Sequence, residues 1–332
     1  MGGSNQLSRY GAISRGVPGN VLAPGSKLFL VCDSDDTTVG PVNLGAEFPV
    51  DRDGVVRVYT TVQAANNAAS AGRGDVALVL PGYDNTLGRA DSWNTAGLQV
   101  IGMGNGNNRP TMRYTAATDE IGLGANNVRV SNIRFLAAVD SCARAVDMDT
   151  GFSGQRVDNC VFDYNATGND FRVMLRMGAQ RSMVEDNRFL AEDTAGSGKG
   201  VAIKGGAPIY GVVRNNYFVG QFDTVGDSSD GAAAIAQDTS DTADTNFTGF
   251  LVDNNVIVST DTAVGAAIRF SAGYQKRGMV TRNRIMSYDS AGTDTVLLAL
   301  AGMGFSGNFV SRQDTTEKLT GETATKITDS GN

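Results

Sequence analysis

Two carboxylates two residues apart are the most suggestive chemistry in this chain. Asp147 and Asp149 stand in RAVDMDTG (Arg144 to Gly151), where they alternate with Val146 and Met148. In an extended strand that spacing puts both carboxyls on one face. A glycosidase needs such a pair to reach a single bond. Asp163 could approach them from the next strand, and Arg176 and Lys204 hold corresponding positions in later segments. A Ca²⁺-assisted lyase would use acids on one face with an Arg or Lys as base, so Asp147, Asp149 and Arg176 form the enzymatic constellation. The plainer reading is that these are outward charges on a solvated strand, paired with their neighbours and worth little individually. The balance favours that reading and a chain that is not an enzyme.

Other chemistries are thinly supported. The 332 residues include no His, which removes Ser-His-Asp and Cys-His machinery. Cys32, Cys142 and Cys160 show no metal-ligand spacing, and an odd count fits a reducing compartment better than a disulfide scaffold. No metal and no cofactor are expected. Gly102, Gly104 and Gly106 in VIGMGNG look like a dinucleotide loop, but NNRPTM follows where a helix should begin. Asp51, Asp53 and Gly54 hint at a Ca²⁺ loop without the Glu that would complete it. With 28 basic and 35 acidic residues the net charge is −7, and no basic run suggests nucleic acid. No apolar run is long enough to span a membrane, and MGGSNQLSRYG has no apolar signal segment. One Trp (Trp93) and nine Tyr are few for a long sugar-binding groove.

What must position these residues is a repeat. The phrase recurs as VSNIRF (from Val130), VDNCVF (Val157), VEDNRF (Val184), VRNNYF (Val213), VDNNVI (Val252), VTRNRI (Val280) and, degraded, FSGNFV (Phe305). The starts lie 27, 27, 29, 39, 28 and 25 residues apart, the pattern of a solenoid with one insertion. A second strand with period-2 alternation precedes most copies, as in RVMLRMGA with Val173, Leu175 and Met177. Between the strands sits a kink suited to Asn, which tolerates left-handed backbone. Stacking equivalent residues gives a column of Asn187, Asn216, Asn255, Asn283 and Asn308, with Cys160 and Ile133 as apolar positions before it. Asn215 should stand one coil before Asn254, and Phe135, Phe162, Phe189 and Phe218 should stack inward.

The rest of the chain decorates this array. Residues 1–50 are broken by Pro18, Pro24 and several Gly and are taken as a non-repeating arm, with KLFLV (Lys27 to Val31) as a short strand. DGVVRVYT (Asp53 to Thr60) suggests a strand, TVQAANNAASAG (Thr61 to Gly72) a short helix capped by Thr60 or Thr61, and DVALVLPGY (Asp75 to Tyr83) a buried strand. A helix there would cover the open end of the solenoid. The 39-residue interval is expected to hold an acidic surface loop, Phe222 to Phe247. Residues 51–310 are then the solenoid and 311–332 a polar tail. About nine coils at a strand spacing of roughly 4.8 Å would make a body about 40 Å long.

The run VYTTVQAANNAASAGRGDVALVLPGY, followed by the V-x-N-N-x-F repeats, resembles right-handed parallel β-helix proteins of the pectate-lyase-like superfamily. The resemblance covers about residues 55–310. It implies an all-β, right-handed parallel β-helix with an N-terminal capping helix, and it says little about activity. AQDTS (Ala236 to Ser240) resembles the Gln-Asp-Thr of pectin esterases within that fold, but its companion motif is missing and it falls in the inserted loop. RYGAISRGVPGNVLAPGSKLFLV and FPVDRDGVVRVYTTVQAA resemble, more narrowly, β-helix proteins encoded by tailed bacteriophages. That implies a virion component assembled in the host cytoplasm, commonly a homotrimer, whose arm docks on other capsid or tail proteins. Arg9, Tyr10, Arg15, Leu28 and Phe29 are the attachment candidates. The resulting expectation is a non-enzymatic β-helix that decorates the capsid or forms a short spike. The alternative is a tailspike-type lyase or hydrolase acting on a host surface glycan.

Overall fold

The computed structural model describes residues 25–33, 57–87, 91–191, 198–204, 210–222, 233–238, 247–259, 266–270, 276–287, 297–298 and 303–312. Nearly all of the regular structure is short parallel strand. One turn of the chain shows the unit. Arg156–Asp158 lies in a first sheet (A), Val161–Tyr164 in a second (B) and Phe171–Met177 in a third (C). The chain then returns to sheet A at Met183–Glu185, in register with Arg156–Asp158. Among the described residues sheets A, B and C have eleven, nine and eight strands. The fold is the all-β parallel β-helix that the repeat predicts, each coil pairing with the one before and the one after.

The repeated phrase is the corner between sheets A and B. Its first valine faces inward: Val130, Val157, Val184, Val213, Val252 and Val280 are all fully buried. The next corner residue takes a left-handed backbone at Asn132, Asn159, Asp186, Asn215, Asn254 and Arg282, with φ between 52° and 58°. Asn and Asp tolerate that conformation better than other residues with a side chain, whereas Arg282 occupies it at a strain of order 1 kcal/mol. The following residue points inward and forms the expected column. Asn187, Asn216, Asn255 and Asn283 each donate their backbone N–H, at 3.0 Å, to the Oδ1 of the next Asn, ending at Asn308. Each Nδ2 bonds the same Oδ1 and a carbonyl of the preceding coil, as Asn216 does with Val184. The column begins where Asn187 accepts the Cys160 N–H at 2.8 Å. Asn254 donates to Asn215 at 2.9 Å on the outside of the corner. Inside, the rings of Phe162, Phe189 and Phe218 stack at centroid spacings of 4.6 Å, with Phe135 at 4.9 Å from Phe162.

Two expectations need correction. Leu28–Val31 is part of the solenoid: it lies in sheet A between Val58–Tyr59 and Val76–Val79. Phe29 and Val31 enter the main core, and Leu30 packs with Leu78 and Leu80 in a second cluster outside it. Asp75 locks the strand in place, accepting the Lys27 N–H at 2.8 Å while Arg73 and the Ser70 N–H hold its other bonds. Alternation of an apolar strand KLFLV across a sheet explains why an apparent arm is built in. The second correction concerns the long interval. It contains a full sheet C strand, Ala233–Asp238, in register with Lys199–Lys204. Phe222 is buried and Phe247–Asp253 is a sheet A strand, so Phe222 to Phe247 is not one loop. Ala-rich AAIAQD has weak strand propensity, which hid it.

The helix Val62–Ala68 is capped by Thr61, whose Oγ1 accepts the Ala64 N–H at 3.1 Å. Its Val62 and Ala65 join the core beside Phe29 and Ala77. Asn66, fully buried, accepts the Thr95 N–H and donates to Asn94, tying the helix to the next coil. The C-terminal strand Phe309–Arg312 runs past the expected end of the solenoid at 310.

Candidate functional site

The carboxylate pair lies on the outer side of sheet C. Cys142–Met148 turns Val146 and Met148 into the core, and this leaves Asp147 facing out. Register sets its neighbours. Gly122 precedes Asp147 in the row and Arg176 follows it, with Ala202, Ala236 and Arg269 beyond. Arg176 Nε donates to Asp147 Oδ1 at 2.8 Å while its Nη2 bonds Oδ2, a two-pronged ion pair. Arg144 Nη1 adds a bond to Oδ2 at 2.9 Å, and its Nε reaches Glu120 at 3.4 Å. Asp147 is only 3% exposed. This enclosed carboxylate has both its oxygens engaged by two guanidiniums.

Asp149 follows at the end of the strand in a different setting. Burial pushes its carboxyl above the usual range, and the charges of Asp147 and Glu120 add to that against Arg176 and Arg144. Its Oδ2 lies 3.6–3.7 Å from where a Cβ on Gly124 or Gly122 would stand. The two glycines therefore set backbone without a side chain against it, with Ser92 and Asn94 3.4 Å from the Gly124 position. The site pairs one acid locked in ion pairs with one partly desolvated acid whose pKa is raised. Such an environment suits a proton donor but leaves no free carboxylate as nucleophile or base.

Of the residues singled out by spacing, Asp147, Asp149 and Arg176 come together. Asp163 does not. It belongs to sheet B, where Arg134 binds it at 2.6 and 3.1 Å. Lys204 stands two residues past Ala202, the register partner of Arg176. Sequence reasoning missed Arg144 and Glu120. Arg144 lies on the strand of Asp147 itself, and the coil that carries Glu120 pairs with that strand at an offset of 25, as in Val146 with Ile121, whereas Arg176 stands 29 from Asp147. The phrase spacing therefore gave no hint of the contact.

The other motifs resolve into structure. Gly104 and Gly106 take positive φ at a tight turn, and only the single-turn helix Gly106–Asn108 follows. Ala236, Gln237 and Asp238 lie in the sheet C strand and not in a loop. Trp93 is 0% exposed, a core group and not a sugar platform. Cys142 and Cys160 are free and buried, and burial pushes each thiol up to about 12. Among the described residues no cluster of three or more His, Cys, Asp or Glu is placed to hold a metal, and no helix is long and apolar enough to cross a membrane. Arg9, Tyr10, Arg15, Asp51 and Asp53 lie outside the described residues. Leu28 and Phe29 are solenoid residues, and Phe29 is buried, so its ring is not available for attachment.

No protein-family model and no curated protein matches the chain. Among solved structures it is similar to the tailspike protein of E. coli bacteriophage HK620 in complex with a pentasaccharide, at 15% identity and a TM-score of 0.47. That likeness covers 75% of this chain and 53% of the tailspike, so the chain spans about half the tailspike's length. It is also similar to a rhamnogalacturonan lyase, at 10% identity and a TM-score of 0.41 over 89% of this chain and 78% of the other. An endo-xylogalacturonan hydrolase from Aspergillus tubingensis follows at 11% identity and a TM-score of 0.27, over 76% and 89%. Likeness at this level says nothing about activity.

Proposed function

We propose that this chain is the rigid β-helical body of a phage virion component, structural and non-enzymatic, assembled as a homotrimer in the host cytoplasm. One observation carries the non-enzymatic part. Asp147, the residue a paired-carboxylate mechanism would need free, has both oxygens taken by Arg176 and Arg144. The resemblance of the opening segment to phage β-helix proteins supports the virion assignment, with decoration of the capsid surface as the location. Attachment to other virion proteins falls to the segment before Gly25, where Arg9, Tyr10 and Arg15 lie. Deleting residues 1–24 leaves Leu28–Val31 in sheet A and tests this directly. The truncated chain should fold and fail to bind particles. Retention on particles would rule the segment out as the anchor.

A second reading has its own observation. Asp149 has a raised pKa and packs against the side-chain-free backbone of Gly122 and Gly124, which fits a proton donor in a tailspike-type enzyme acting on a surface glycan. The separating assay incubates purified protein with host surface polysaccharide, with and without Ca²⁺, and follows chain length and unsaturated-product absorbance. No change in chain length is expected. Cleavage that disappears in Asp149→Asn would overturn the structural reading.

A further inference from the structure

The outer faces on either side of the Asn corner change character along the rod. On sheet A one outward column starts with Arg129 and Arg156 and then becomes Met183, Val212, Leu251 and Met279. On sheet B the outward column that holds Arg113 in an early coil is Val219, Val258 and Met286 in the later ones. The early coils bury their outer charges in ion pairs, as Arg129 does with Asp158 and Arg134 with Asp163. The later coils keep ion pairs at the corner itself, Arg214 with Glu185 and Arg282 with Asp253, but on either side of it they leave large apolar groups in water. Met279 is 50% exposed, Met286 37% and Phe309 54%.

Both strips flank one corner, and that corner turns around its own buried Asn column, so it is convex to the outside. A convex corner cannot bury both flanks against a second identical corner across a twofold axis, because two such wedges meet only at their edges. Three or more copies around an axis parallel to the rod can do so, each placing its sheet A strip on the sheet B strip of the next. That is a heterologous contact closed by rotation. Area points the same way. Four strands at about 4.8 Å make each strip a few hundred Å², far below the roughly 800 Å² per partner of a stable pairwise interface. A ring in which every copy buries both strips doubles the area per copy and links three contacts in one closed assembly.

We infer that the outer faces of sheets A and B in the later coils are the contact between copies of this chain, with the corner at Asn215 and Asn254 directed at the ring axis. The inference rests on the homotrimeric part of the proposal above and names its surface. Met279 and Met286 belong to the same coil, so a parallel ring brings Met279 of one copy toward Met286 of the next.

Sedimentation velocity of the full chain provides the test, with circular dichroism confirming that each variant is folded. The wild type should sediment as a trimer. Met279→Glu and Met286→Lys should each reduce it to monomer at micromolar concentration, and the double variant should recover the trimer, because each contact then pairs a Glu with a Lys. A trimer that survives both single variants would overturn the contact while leaving the virion proposal intact. A wild-type monomer or dimer would overturn the contact and the trimer together. Binding of that protein to particles, read separately by co-sedimentation, would show whether the virion role stands without them.

Discussion

Asp147 and Arg176 face each other across adjacent coils of sheet C, joined by two hydrogen bonds between guanidinium and carboxylate. With Asp147 buried, the pair behaves as a fixed structural element. Arg176→Met should leave Asp147 with Arg144 alone and lower stability by about 3 kcal/mol, read as the shift in urea midpoint. A loss under 0.5 kcal/mol would mean that the carboxylate is solvated and free for chemistry.

The neighbouring Asp149 should respond in the opposite sense. Its folded pKa is raised, first by burial and then by Asp147. A carboxyl raised on folding is stabilised in its protonated form, so its cost to stability sets in as the pH rises through the unfolded value and is complete above the folded one. Asp149→Asn should therefore raise the melting temperature at pH 7. The advantage should vanish as the pH falls below the ordinary aspartate range near 4. A pH-independent difference would assign the effect to packing.

Acid should act on the carboxylates with lowered pKa. Asp75 is pushed up by burial but held below its ordinary value by Arg73 and by the Ser70 and Lys27 N–H groups. Asp253 is held down first by its bond to Arg282. The stability such groups contribute is complete above the unfolded value, about 4, and is lost as pH falls through the lowered folded value. Asp75→Asn should flatten the stability profile below pH 4. An unchanged acid limb would rule out Asp75 as a contributor.

Asn216 accepts from the Asn187 N–H and Nδ2 while its own Nδ2 bonds Val184 and Asn255. Asn216→Ala should strand several buried groups and cost about 3 kcal/mol, judged at one or more unsatisfied groups of about 1–3 kcal/mol each. Asn215→Ala, at the exposed position beside it, should cost less than half as much. Equal losses would show that the column adds nothing beyond the corner's backbone geometry.

The thiols should be silent. Cys142 and Cys160 are buried, with pKa values pushed up to about 12, and the thiolate is the reactive form. An aromatic disulfide reagent at pH 8 should label no cysteine in the native protein and three after denaturation. Rapid native labelling would show that the coils open locally.

Much of the architecture was legible because a solenoid repeats its reasons. Each copy of the phrase needs a buried apolar residue, a residue that tolerates left-handed backbone, and two inward groups that stack on the next coil, an amide in the later copies and a ring in the earlier ones, and such repeated demands in six positions leave a visible mark. The mark fades where the demand is weaker. AAIAQD serves a sheet C strand with small side chains, and KLFLV joins sheet A through pairing with Val58–Tyr59 and Val76–Val79. Neither carries the phrase, so the spacing alone leaves one in a loop and the other in an arm.

The site was half legible. Alternation of Asp147 and Asp149 with Val146 and Met148 placed both acids outside, as a period of two requires. Their different fates came from register. The coil before contributes Gly122, Gly124 and Glu120, and the coil after contributes Arg176. The sequence by itself determined the fold, its corner and its inward columns, because those depend on local backbone preference repeated at a near-constant spacing. Only the tertiary structure decided that Asp147 is locked and Asp149 is not. Charge and solvation at each carboxyl are set largely by neighbours 25 to 29 residues away in the chain, whose alignment depends on the length of every intervening turn.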